Sequence, residues 1–347
     1  MLRSGLGFTA RMLASALLLA MREGRVLLEV PQRNGTTGRP FGRWCDRPPH
    51  TLGCVYLPWS HCSAASVQQA EATRFEERCC NSRSSRACGN RFYCFLSTIR
   101  KTRVVAAKLS TIYGVGALWQ RPGVHATSIM RGAHRFLFRP RPWVTAISDC
   151  VMGAAALSPG RFFSVHIRRS PQKVQEARAS RKVLPSTLAF DAVARLAGNA
   201  TGLRRCFVQV SSPKALAEFK RLIHGDLELS YTEQPRQEDD SWGGWSGNTS
   251  STSLQTVVAA VNAHIASQAS IVLSPAMSLW TPFLANLMGL GPPPLWASYS
   301  CAGTRVSGYI NVVISRAQRS VSEGTPAEAA KRMMEDASRH FGCGRMK

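Results

Sequence analysis

Acidic side chains are scarce in this chain: 20 Asp and Glu stand against 44 Lys and Arg, for a formal net charge of +24. Such a balance suits nucleic acid, an anionic membrane surface or a phosphorylated ligand, and it also fits a plain compositional bias toward arginine. Zinc-finger spacing, an RNA-binding aromatic signature and a recognition-helix pattern are all missing, and the basic residues are scattered along the chain rather than gathered in a tail. Nucleic acid is therefore not the expected partner. No CxxC pair occurs, which excludes the usual zinc knuckles. There is no P-loop and no GxGxxG, which weakens kinase, GTPase and dinucleotide-oxidoreductase readings. The apolar run Met12–Met21 is too short to cross a bilayer.

Cysteine, by contrast, is plentiful. Seven of the eleven lie between Cys45 and Cys94, and the others are Cys150, Cys206, Cys301 and Cys343. Without metal knuckles, this clustering fits a disulfide-braced region in an oxidising lumen. The odd total leaves at least one thiol unpaired or paired between chains, so a homo-oligomer stays among the expected partners. N-x-[ST] sequons at Asn34, Asn199 and Asn248 lean the same way, toward the secretory pathway.

The N-terminus, "MLRSGLGFTARMLASALLLAMREG", has the basic start and apolar run of a signal peptide. It also suits a buried helix after a glycine-rich turn, and "RVLLEV" following at once favours that helix-then-strand reading over residues 5–30. On it, any membrane anchor lies outside this chain. Residues 31–60 read as loop with a short strand in "GCVYLPWSHCS", residues 64–95 as helical and then irregular, and residues 98–112 as a basic helix. "HRFLFRPRPWV" reads as an extended basic segment leading to a helix from Pro142.

After residue 160 a regular alternation begins. "FFSVHI", "RCFVQVSS", "LELSYTE" and "SIVLS" read as strands; "PSTLAFDAVARLAGN", "PKALAEFKRLI", "LQTVVAAVNAHIASQA" and "SLWTPFLANLMG" read as helices, the last ending at Gly289. That pattern predicts an open parallel sheet flanked by helices, with ligands outside the carboxyl ends of the strands. "TPAEAAKRMMEDASRHFG" reads as a terminal helix.

Arg168 and Arg169 directly follow the first of these strands, at the ligand edge. Guanidinium forks match phosphate oxygens and stabilise the charge of a leaving diphosphate without a metal. Neighbours on a strand point oppositely, so the two arginines have different tasks if the strand continues through them. The plainer alternative is a pair of surface arginines. His166 shares the face of Arg168 and suits either a base or phosphate contact or a satisfied core position. Glu176 is one of few nearby acids, suited either to accepting a proton from a sugar hydroxyl or to a solvated surface.

These segments together resemble the alpha-1,6-fucosyltransferase family, the enzymes that add core fucose to N-glycans. "HIRRSPQKVQE" resembles the family's H-V-R-R-T-D-K followed by a glutamate, "FRPRPWV" its "IRPQPWL", and "SLQTVVAAVNAHIASQASIVLS" its helix–strand unit ending in "SQADFLVCTFSS". "GLGFTARMLASALLLAMREGRVLLE" resembles the family's first glycine turn, helix and strand, so the resemblance covers roughly residues 5–300. It implies an α/β, GT-B-like fold, two Rossmann-like domains facing a cleft. An N-terminal α/β domain with a cysteine-rich insertion would span 1–145, a GDP-sugar-binding domain 146–300, and an extension 301–347. It implies GDP-fucose as donor, a glycan acceptor, inversion at the anomeric carbon, no cofactor or required metal, and a Golgi lumen setting. Carried over residue by residue, Arg168 binds the diphosphate and Arg169 is the second arginine of the pair. His166 and Ser278 line the donor site, Glu176 is the base, and Lys173 is its partner, one position later than the family's lysine.

The chain departs from the family where carboxylates are expected. Pro171 replaces the acid after the arginines, Ser211 and Ser212 replace two acids in a "TDDP" turn, and Ser270 replaces the acid of "QADFLV". A guanine ring normally meets a carboxylate at N1–H, so a non-catalytic or altered-specificity sugar-nucleotide binder is the alternative.

Overall fold

In chain order the elements are α1 (Leu6–Arg22), β1 (Ala72–Arg74), β2 (Val104–Ala106), α2 (Ala126–Leu137), α3 (Pro142–Ala154), β3 (Phe163–Ile167), α4 (Thr187–Thr201), β4 (Arg205–Val210), α5 (Pro213–Leu222), β5 (Glu228–Ser230), α6 (Thr249–Ser267), β6 (Ile271–Pro275), α7 (Trp280–Leu287), β7 (Leu295–Cys301), β8 (Tyr309–Ile314) and β9 (Cys343–Arg345). The computed structural model describes residues 6–24, 26–27, 52–60, 126–169, 174–175, 177, 184–210, 212–223, 227–233, 249–275, 278–288 and 309–314, and the backbone of 72–74, 104–106, 295–301 and 343–345.

Local chemistry sets several boundaries. Ser186 caps α4 by accepting from the Ala189 amide at 3.1 Å, and Gly202, at φ 69°, ends that helix in the left-handed conformation. Ser212 caps α5 through the Ala215 amide at 3.2 Å, with Pro213 at the first helical turn, where a missing N–H costs nothing.

The main sheet has seven strands in the order β5-β4-β3-β6-β8-β7-β9. β5, β4, β3 and β6 run parallel. β8 is antiparallel to β6, β7 to β8, and β9 to β7. The sheet is therefore mixed, a correction to the all-parallel expectation. The parallel part follows from the helices between its strands, since a parallel crossover needs a long connection. No helix interval was legible in the sequence around β7 and β8, and those strands pair directly with reversed direction.

Period-two alternation divides the packing into two cores. Phe163, Val165 and Ile167, with Val208, Val210 and Leu273, share one core with Phe190 and Ala197 of α4 and Leu216 and Phe219 of α5. Phe162, Phe207, Val272 and Val313 share the other with residues of α1, α2, α3, α6 and α7, among them Leu13, Leu137, Met152, Ile265 and Phe283. Burying each such Phe is worth about 1.5–3 kcal/mol. The second core draws on residues either side of position 145. β1 and β2 form a separate parallel pair, and among the described residues there is no second sheet flanked by helices.

Several local expectations are corrected. Residues 104–106, expected within a basic helix, form β2, and residues 72–74, expected helical, form β1. Around Leu52–Cys54 the chain makes a 3-10 turn and Tyr56 forms a single bridge to Pro140, in place of a short strand. His134–Leu137 end α2 and are not extended. α7 stops at Leu287, two residues before Gly289. Val26 and Leu27 are irregular, while the rest of the "RVLLEV" strand, apart from those two, and the expected terminal helix lie outside the described residues. Of the seven clustered cysteines only Cys54 lies among the described residues, and Cys150 and Cys206 carry free thiols. Among the described residues no helix is long and apolar enough to cross a membrane.

Candidate functional site

The strand register gathers polar side chains where the parallel strands end. His166 of β3 is the direct partner of Gln209 on β4. Val165 pairs with Leu273 of β6, so Ser274 continues the same row on the other side. All three lie on the face opposite Val165, Val208 and Leu273, at the carboxyl ends of their strands. The residues next to each of the three, Val165 and Ile167, Val208 and Val210, and Leu273, are apolar and face the other way.

Hydrogen bonds tie this row to the turn between β6 and α7. Gln209 Nε2 donates to Ser164 Oγ at 2.8 Å, and its Oε1 accepts from the Trp280 indole N–H at 2.8 Å. His166 Nδ1 lies 3.1 Å from Ser274 Oγ, which lies 2.5 Å from Thr281 Oγ1. The Trp280 ring sits 6.2 Å from the imidazole, tilted by 52°. Gln209, Ser274 and Thr281 are buried. Buried polar groups are costly unless paired, and this network satisfies them.

The imidazole is held down to about 3, first by burial and then by the nearby Arg168 guanidinium. His166 is therefore neutral at physiological pH and offers a hydrogen bond rather than a charge. With Nδ1 engaged, Nε2 is the ring nitrogen left for a ligand. Two proton orders satisfy the network. If the Thr281 hydroxyl donates to the Pro275 carbonyl at 3.3 Å, Ser274 donates to Thr281 and Nδ1–H donates to Ser274. If Thr281 donates to Ser274 instead, Ser274 donates to Nδ1 and Nε2 carries the proton. A phosphate oxygen at Nε2, being an acceptor, selects the second order.

β3 ends at Ile167, so both arginines follow the strand rather than continue it, and they have different neighbours. Arg169 Nη1 donates to the Pro185 carbonyl at 3.3 Å, bracing the segment just before α4. Arg168 lies close enough to His166 to disfavour its protonation. Ser278 is buried in the β6–α7 turn, its hydroxyl accepting from the Trp280 amide at 3.3 Å. Ser278 is thus brought beside Ser274 and Thr281, with its oxygen already serving the start of α7. Lys173, Glu176, Pro171 and Ser211 lie outside the described residues. Ser212 borders the carboxyl end of β4 as the α5 cap. Ser270 does not join the group: its hydroxyl donates to the Phe162 carbonyl at 2.8 Å, tying the opposite, amino ends of β6 and β3.

Sequence reasoning passed over Ser164, Gln209, Ser274, Trp280 and Thr281. The available signal was a polar residue late in each of three apolar strands, "FSVHI", "RCFVQV" and "IVLSP". Among the described residues no group of three or more His, Cys, Asp or Glu could hold a metal ion.

No family model matches the chain, and no curated protein matches it. Solved structures do. The NodZ alpha-1,6-fucosyltransferase soaked with GDP-fucose superposes with a TM-score of 0.51 at 15% identity, covering 90% of this chain and 97% of that one. The selenomethionine form of fucosyltransferase NodZ from Bradyrhizobium gives a TM-score of 0.50 at 15% identity, with the same 90% and 97% coverage. At such identity the likeness speaks for the fold: the chain has an α/β fold, a mixed sheet with flanking helices, that bears a distant resemblance to GT-B fucosyltransferases.

Proposed function

We propose that the chain is a GDP-fucose-dependent glycosyltransferase, GT-B-like with two Rossmann-like domains facing a cleft, that transfers fucose with inversion to the core GlcNAc of N-glycans. The supporting observation is the row Gln209–His166–Ser274 at the carboxyl ends of three parallel strands, with Arg168 and Arg169 leaving the middle one. Arg168 binds the diphosphate and stabilises its charge as the sugar bond breaks, with no metal required. Neutral His166 donates from Nε2 to a phosphate oxygen. Glu176 takes the proton of the acceptor 6-hydroxyl, with Lys173 as its partner. The cysteines and sequons suit a Golgi lumen.

Ser212 favours a second reading. It stands where the resembled family has a carboxylate, and its hydroxyl is committed to the α5 cap. A binder of sugar nucleotides without transfer would need Arg168 but no base. The test is a thermal-shift screen with GDP, UDP, ADP and their sugars, followed by mass spectrometry of an N-glycan acceptor. A shift with GDP and a mass gain of one fucose are expected. No shift with GDP overturns the donor assignment, and a shift without transfer or donor hydrolysis selects the second reading.

A further inference from the structure

The N-terminal helix reaches the candidate site through one glycine. A Cβ placed on Gly7 would lie 2.7 Å from the carbonyl carbon and oxygen of Leu279 and 2.7 Å from the amide nitrogen of Trp280. The obstacle is backbone on all three counts, so no side chain can swing aside. Gly7 lies within α1, and its role here is space rather than a special backbone conformation. The Leu279–Trp280 peptide thus rests directly on α1, and α1 also packs along α7.

That peptide carries the residue that organises the site. The Trp280 amide donates to Ser278, its indole N–H donates to Gln209, and its ring lies beside His166 and, at 5.2 Å, against Phe283. Gln209 in turn holds Ser164. We propose that Gly7 is a positioning residue: its close approach fixes the Leu279–Trp280 peptide, and so sets the Trp280 indole against Gln209 and His166 where the nucleotide sugar binds. This rests on the reading of the site as a GDP-sugar pocket. A methyl group at position 7 forces the turn back by several tenths of an ångström in a close-packed interior. The indole then loses its aim at Gln209, whose buried oxygen is left unpaired.

The test compares Gly7→Ala, Trp280→Phe and Leu13→Ala with the wild type. Leu13 is a buried core residue of the same helix and serves as the control for general destabilisation. Proton–nitrogen spectra resolve the indole N–H groups of the 8 tryptophans, and Trp280→Phe identifies the one that matters. GDP affinity is measured by calorimetry. Gly7→Ala is expected to move the Trp280 indole resonance and weaken GDP roughly tenfold. Leu13→Ala is expected to lower the melting temperature while leaving both unchanged. An unmoved indole resonance or wild-type GDP affinity in folded Gly7→Ala overturns the proposal, as does an equal change in Leu13→Ala. Should Gly7→Ala not fold, Trp280→Phe decides: it keeps the glycine contact and removes the indole donor, and wild-type GDP affinity there overturns the link from Trp280 to the site. If the wild type binds no GDP, the functional reading fails, and the indole resonance of the free protein still tests Gly7.

Discussion

His166 and Ser274 meet across neighbouring parallel strands, with imidazole Nδ1 3.1 Å from the hydroxyl and 108 residues between them in the chain. The contact holds the ring in one orientation, and the direction of the Ser274–Thr281 bond behind it is coupled to which nitrogen carries the proton. A polar relay of this kind, at the edge where the strands end, makes the site sensitive to protonation.

Acidification should destabilise the protein through His166. The unfolded imidazole titrates near 6.5 and the folded one near 3, so between these values the unfolded chain binds the extra proton. Stability from the neutral ring is therefore fully present above about 6.5 and is lost as pH falls toward about 3. His134, held to about 4 mainly by burial, acts in the same direction. Urea midpoints between neutral and mildly acid pH should fall less steeply for His166→Asn than for the wild type. Parallel curves would refute the assignment.

Arg168 and Arg169 should separate by function. Arg168→Ala is expected to weaken GDP at least tenfold, the loss of a charge-assisted pair of bonds. Arg169→Ala removes the bond to the Pro185 carbonyl and should cost about 1 kcal/mol of stability with a smaller effect on GDP. Calorimetry and equilibrium unfolding on both variants check the division.

Glu176→Gln should lower turnover by about 10²–10⁴-fold while leaving GDP affinity near the wild-type value. Steady-state transfer assays paired with calorimetry read both quantities. Unchanged turnover would remove Glu176 from the chemistry.

Ser212→Ala should destabilise the fold by about 1 kcal/mol, because the Ala215 amide loses its cap. Ser212→Asp retains a good capping group and should stay within about 0.5 kcal/mol of the wild type. Equilibrium unfolding distinguishes the two, and equal loss in both would mean that burial, not capping, governs the position.

Local pattern carried much of the fold. Short apolar runs in "FSVHI" and "RCFVQV" marked β3 and β4, and Pro213 at an early position marked the helix after β4, since each depends on neighbours within a few residues. The strands β1 and β2 were misread because three residues are too few to show a period. The antiparallel half of the sheet was invisible for a different reason: direction and pairing are set by which edge a strand finds, and nothing within β7 or β8 encodes that.

The sequence by itself determined the α/β alternation after residue 160 and the position of Arg168 and Arg169 at a strand end, because hydrophobic period and arginine chemistry are local properties. Only the tertiary structure decided that Gln209, His166 and Ser274 share a row, that Trp280 closes it, and that Gly7 of a distant helix supports Trp280. The physical reason is that register and close packing join residues up to hundreds of positions apart, and a lone Gln, Ser or Gly in an apolar segment has no chemistry of its own until its neighbours in space are known.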